Sequence, residues 1–148
     1  MKKYILLTAL ALIAFTGTAQ RRNADRLFSE FSSEAGVTAV KVNNVPDDVK
    51  RMLGEGSKVD FVEVLAFNDA APAIRERASQ AIGEFSDSRF ETWVSGSSNG
   101  GSFKVLALMN GEKVSEVLVL VTGDNTVMVR LKGELNRSHL ENISASVN

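Results

Sequence analysis

The chain has 148 residues, with 17 basic and 18 acidic side chains, one histidine and no cysteine. The missing thiols exclude disulfides, thiol catalysis and thiolate metal sites. A near-neutral balance without a basic block argues against nucleic-acid binding, because phosphate contacts need clustered Lys and Arg.

Residues 1–19 have the build of a secretory signal peptide. Lys2 and Lys3 form a positive start, and a mostly apolar run from Tyr4 to Phe15 follows. Gly17 and Ala19 supply the small residues that signal peptidase needs beside the cut. The apolar run is shorter than the roughly 20 residues that span a bilayer. Cleavage is expected after Ala19, which leaves a single α+β domain over residues 20–148 with Gln20 first. The charge balance then becomes 15 basic to 18 acidic. No cysteine is available there for a lipid anchor, so the expected product is periplasmic or secreted, with no membrane span after cleavage. A domain of this size buries roughly two-thirds of its unfolded surface and needs no covalent staple.

From Asn23 to Ala35, the spacing of Leu27, Phe28, Phe31 and Ala35 predicts an amphipathic helix that Gly36 stops. Val37–Val42 reads as a short strand. Asn44–Leu53 reads as a helix with Pro46 in its first turn, Asp47 and Asp48 favoured there by the helix dipole, and Gly54 and Gly56 at its end. Val59–Phe67 is apolar on both faces, as a covered strand would be. Asp69 is a candidate N-cap for the next helix, with Pro72 in its first turn and Ile74, Ala78, Ala81, Ile82 and Phe85 as its buried stripe.

The second half is β-rich. Phe90–Ser95 reads as a strand and Gly96–Ser102 as a loop. Phe103–Met109 and Lys113–Val121 flank Asn110–Gly111, a strong hairpin signal. The turn Thr122–Thr126 leads into a strand over Val127–Lys132, and Arg137–Val147 reads as a helix on Leu140 and Ile143. With Asn110–Gly111 as a two-residue loop, Val105 falls opposite Glu116 and Phe103 opposite Leu118. One face then carries Phe103, Val105, Ala107, Val114, Leu118 and Leu120, joined across an even second turn by Val127, Val129 and Leu131. The other carries Leu106, Leu108, Val117, Val119 and Val121, with Met128, Arg130 and Lys132. The first face is expected to be the main core. The second needs a cover from another helix or a partner.

Chemistry-bearing candidates are few. His139 is the only histidine, and its neighbour Ser138 cannot readily face it; no G-x-S-x-G turn is present. It is expected on the surface of the last helix. Asp47/Asp48, Asp60/Glu63 and Asp124/Asn125 could suit hard cations by type, but none has EF-hand spacing. The glycine- and serine-rich run Gly96–Lys104 lacks the Gly-Lys-Ser/Thr ending of a phosphate loop and leads into a strand. Glu116, placed on the core face, calls for a Lys or Arg partner. Phe90 and Trp93 lie at opposite parity on one strand, so one is core and the other is free to anchor a partner.

The order of parts resembles a known family. It runs through Phe28-Ser-Glu-Phe31, Gly36-Val-Thr-Ala-Val40 and the Val59–Leu65 strand before a long helix. It continues through Phe103–Gly111, Val114–Val121, Val127–Gly133 and a short final helix. This is similar to the exported bacterial family called domain of unknown function 4252. The resemblance implies an exported protein and no assigned activity.

The expected fold is α+β, a mainly antiparallel sheet of five or six strands with helices on at least one face. The expected function is that of a non-enzymatic cell-envelope module without cofactor or metal. It would bind another envelope protein or itself through Leu106, Leu108, Val117, Val119 and Val121. The alternatives are a carrier of a small apolar ligand and an enzyme using His139 or Glu116.

Overall fold

The computed structural model describes residues 23–53, 58–98 and 100–147. The expected signal peptide, Gln20 and the helix-ending Gly54 and Gly56 lie outside them. In chain order the elements are α1 (Ala24–Ser32), β1 (Thr38–Asn43), α2 (Asp47–Leu53), β2 (Lys58–Ala66), α3 (Pro72–Glu84), β3 (Phe90–Ser98), β4 (Gly101–Asn110), β5 (Lys113–Thr122), β6 (Val127–Leu135) and α4 (Arg137–Val147). The six strands form one antiparallel sheet in the order β1-β2-β6-β5-β4-β3. This is the expected α+β class, with helices on both faces.

The main core is not on the face of Phe103, Val105, Ala107, Val127, Val129 and Leu131, as expected, but on the opposite face of Leu106, Met128 and Arg130, because both α1 and α3 pack there. On this face, the first face from here on, α1 and α3 bring Leu27, Phe28, Phe31, Ala78, Ala81 and Ile82 onto Leu65, Leu106, Leu118, Leu120 and Met128. Helix α1 forms where its apolar stripe predicts. Asn23 caps it by accepting the Arg26 N–H at 2.8 Å, and Phe31 packs edge-on against Phe67 at 5.7 Å between ring centroids. Helix α3 starts at Ala71 with Pro72 in the first turn and no side-chain cap, so Asp69 is not its N-cap. The Asp69 carbonyl instead lies where a side chain on Gly36 (φ +80°) would collide with it. At its far end, α3 is met by Lys104, whose Nζ donates to the Ile82 carbonyl at 3.1 Å, the favourable sign for a helix C-terminus.

On the second face, α4 lays Leu140 and Ile143 over Val114, Val117, Ala107, Leu131 and Leu135. Helix α2 packs beside α4, and Val45 joins the same core.

Three registers differ from the pattern read in the sequence. The β4–β5 hairpin closes one residue later than expected, with Asn110 opposite Lys113 and Gly111 (φ +67°) in the turn. Ser115 is then bulged out of β5 and donates its hydroxyl to the Leu108 carbonyl at 3.3 Å. Five residues, Thr122–Thr126, separate Val121 from its partner Val127, an odd number. The bulge inverts the rest of β5 and the odd turn inverts it back. Residues 103, 105 and 107 of β4 therefore do share a face with 127, 129 and 131 of β6, as expected. Only β5 beyond Ser115 is on the opposite side from its expected place. A third irregularity expels Asp60 from β2 opposite Gly133, where any Cβ would strike the Lys58 carbonyl. The Gly96–Ser102 run is not a loose loop: β3 continues to Ser98 and β4 begins at Gly101.

Candidate functional site

The expected interaction face does not exist as one surface. Leu106 pairs with Leu118 beneath the α1–α3 layer, and Leu108 packs against the same cluster. Val117, Val119 and Val121 point the other way, with Val105, Ala107, Val129 and Leu131. Val117 is sealed under α4, Val119 is buried, and Val121 is half-buried. The physical reason is the Ser115 bulge. One extra residue reverses every later side chain of a strand.

Glu116 is opposite Leu108 and Lys132, not Val105. It does have the cationic partner its position demands: Arg130 Nε donates to Glu116 Oε2 at 3.2 Å, and Lys132 Nζ lies 4.0 Å from its other oxygen. Arg130 is the hub of a larger cluster. It sits directly across from Glu63 on β2, with Nη1 3.9 Å from a Glu63 oxygen, and it donates to the Asp25 carboxylate of α1. Lys41 on β1 reaches Glu63 from the outside at 3.7 Å. The Phe28 ring lies 5.6 Å from the guanidinium carbon, a cation–π contact.

Arg130, Glu63 and Glu116 are all buried. Charges so far from water persist only when paired and hydrogen-bonded. This cluster ties three central strands to the first turn of α1. The Arg130 hydrogen bond, foremost, holds Asp25 below the ordinary aspartate range. Asp87, in the loop before β3, is lowered in the same way by Arg89, which its carboxylate raises in turn. Asp87 also accepts a backbone N–H from Ala24, so two carboxylates anchor the first turn of α1.

His139 is not on the surface; it is 2 % exposed. Its Nδ1 accepts the Asn136 N–H at 3.0 Å, while Asn136 Oδ1 accepts the His139 N–H at 3.1 Å. This is a reciprocal cap on α4 with histidine in the place usually held by Glu or Gln. Ser138 donates to Asn136 Oδ1, so the neighbouring pair is used for capping. Among the described residues no group of three or more His, Cys, Asp or Glu is placed to hold a metal. Of the other candidate carboxylates, Asp48 pairs with Arg51. Phe90 is buried on the first face, and half-buried Trp93 lies on the second beneath the Arg137 guanidinium.

The second face also holds a surface that the sequence reading missed. Its middle rows run Val42–Val62–Leu131–Val117–Ala107, then Val40–Val64–Val129–Val119–Val105. The next row brings Val127, Val121 and Phe103 together. Helix α4 covers the end of the sheet nearest Val114 and Leu135. Val62, Val64, Val121, Val127, Val129 and Phe103 are left half-buried and Val40 is 46 % exposed. Lys41, Glu63, Lys104, Glu116, Arg130 and Lys132 all alternate onto the opposite face, so the valine band from β1 to β4 carries no charge; Glu91, opposite Ala107 on the edge strand β3, bounds it. Its signal in the sequence was β-branched alternation in β1, β2 and β6. Glu63 and Arg130 were missed as partners, although each is a charge flanked on both sides by apolar residues of its strand.

This six-stranded α+β sheet, with its ion-locked face and its open one, is the class of protein the chain represents. The chain belongs to the family described as domain of unknown function DUF4252, whose pattern matches residues 30–143. No curated protein and no solved structure matches it.

Proposed function

We propose that this protein is an exported cell-envelope module that binds another envelope protein through the valine band on the second face of its sheet. The observation that carries the reading is the band itself. Val40, Val62, Val64, Val121, Val127, Val129 and Phe103 form a contiguous, uncharged and incompletely covered surface on a rigid sheet. Contiguous apolar surface of this kind marks contact sites more often than it marks ordinary exterior. The absence of charge calls for an apolar partner surface. Export rests on the residue pattern of positions 1–19, and no helix among the described residues is long and apolar enough to cross a membrane.

Affinity capture from envelope extracts, run in parallel with wild type and a Val64→Glu/Val121→Glu variant, tests the contact. A partner retained by wild type and lost by the folded variant is the expected result. Identical capture by both, or none by either, overturns the reading. The N-terminal sequence of the envelope-derived protein should begin at Gln20. A chain that keeps Met1 and stays in the cytoplasm would refute export.

A further inference from the structure

The two edges of the sheet are built differently. Strand β3, at one edge, is interrupted by a bulge between Thr92 and Val94 and ends in Gly96, Ser97 and Ser98. Bulges and short polar ends are how natural sheets keep an edge from pairing. Strand β1, at the other edge, has no bulge and no proline over Thr38–Asn43, and its residues are almost all exposed. It carries the one exposed large hydrophobic side chain among the described residues, Val40. Its single charge, Lys41, leans inward to Glu63.

The direction of its main-chain groups follows from one hydrogen bond. The Asn44 N–H donates to the Asp60 carbonyl at 3.3 Å, in register with the β1–β2 ladder. Residues two apart point the same way, so Val42, Val40 and Thr38 turn their N–H and C=O groups toward β2. Ala39, Lys41 and Asn43 turn theirs outward, where no strand of this chain lies among the described residues.

We propose that β1 pairs antiparallel with β1 of a second copy of this chain, joining two six-stranded sheets across a two-fold axis at Val40. The strand is complementary to itself in this register. Ala39 and Lys41 exchange outward main-chain bonds with Lys41 and Ala39 of the second copy. Val40 meets its own equivalent, and Thr38 meets Val42. The only other symmetric register in phase near the strand centre sets Lys41 against Lys41, which like-charge repulsion disfavours. A two-fold axis normal to the sheet keeps the second faces on one side, so the two valine bands join and Val40 is covered. Main-chain hydrogen bonds carry this contact, so it does not depend on what the band itself binds.

Light scattering on the envelope-derived protein over a concentration series, combined with amide hydrogen exchange, tests the pairing. The expected mass is twice that of one chain, with slow exchange at Ala39 and Lys41. Ala39→Pro removes an outward N–H and leaves the β1–β2 ladder intact, so it should halve the mass. Val40→Lys, which sets like charges on the axis without touching the backbone, should halve it too and speed exchange at Ala39 and Lys41. If Ala39→Pro fails to fold, Val40→Lys decides the matter. The Val64→Glu/Val121→Glu variant should stay dimeric, which separates this contact from the one proposed for the band. A monomeric wild type, or a dimer that survives Val40→Lys with fast exchange at Ala39 and Lys41, overturns the proposal.

Discussion

The first face of the sheet carries six charged side chains and is closed by two helices. The second carries none in its middle rows from β1 through β4, its charge there being Glu91 on the edge strand β3, and is left partly open. On the first, the charges are drawn into a network around Arg130 that reaches α1, so the polar groups themselves help fix the cover. On the second, α4 rests on apolar contacts and a cap at its own start, and the valines beyond its reach have no cover. Burial of charge thus marks the face committed to the protein's own fold. The valine rows, free of charge, mark the face that the chain's own helices leave partly uncovered.

Removing the hub should break this contrast most sharply. Arg130→Ala leaves Glu63 and Glu116 buried beside α1 without their main cation. The expected cost is about 3–5 kcal/mol in urea unfolding, the usual consequence of stranding a buried charge. Val64→Ala, a comparable truncation in the open band, should cost less than about 1.5 kcal/mol, since the side chain is already half in water. A triple change of Arg130→Met, Glu63→Gln and Glu116→Leu should recover most of the first loss. Equal costs for Arg130→Ala and Val64→Ala would mean that the two faces are not differently committed.

The second face has its own lock at the start of α4, with a smaller expected effect. Asn136→Ala removes the acceptor for the His139 N–H and should cost about 1 kcal/mol. The loss should localise to α4, so amides of the Leu140–Ile143 turn should exchange faster while those of α1 stay unchanged. Uniform acceleration across both helices would show that α4 does not move as a separate unit.

The elements were legible because each is dictated locally: the α1 stripe, the Asn110–Gly111 turn and the β-branched runs all fell within a few residues of their observed bounds. The faces were not. Parity across a hairpin is lost at a single bulge, and nothing in Val114-Ser-Glu116 marks Ser115 as the residue that steps out. Its bond to the Leu108 carbonyl exists only once β4 is alongside. The odd turn over Thr122–Thr126 was invisible for the same reason, and only its cancelling of the first error kept residues 103, 105 and 107 of β4 on one face with 127, 129 and 131 of β6, although that face is the partly open one and not the main core. His139 was misplaced because a polar residue near a helix start reads as exposed unless its side chain is known to return to the backbone. Arg130 and Glu63 lie 67 positions apart in sequence and became partners only through the β2–β6 register.

Acid should loosen the first face at α1 by the smallest of these effects, and its sign is fixed. Asp25 and Asp87 are both held below the ordinary aspartate range, by Arg130 and Arg89 respectively. The folded chain therefore binds fewer protons than the unfolded one as pH enters that range. Their contribution is complete above the unfolded aspartate value of about 3.9 and is lost as pH falls through the depressed folded values. The Asp25 side chain is 70 % exposed, so Asp25→Asn should cost no more than about 1 kcal/mol at neutral pH. Melting temperatures of wild type and Asp25→Asn should differ near neutrality and converge below about pH 4, as wild type loses what the variant never had. Curves that stay parallel through the acid range would show that Asp25 stabilises α1 by position alone and that its charge takes no part in holding the helix to Arg130.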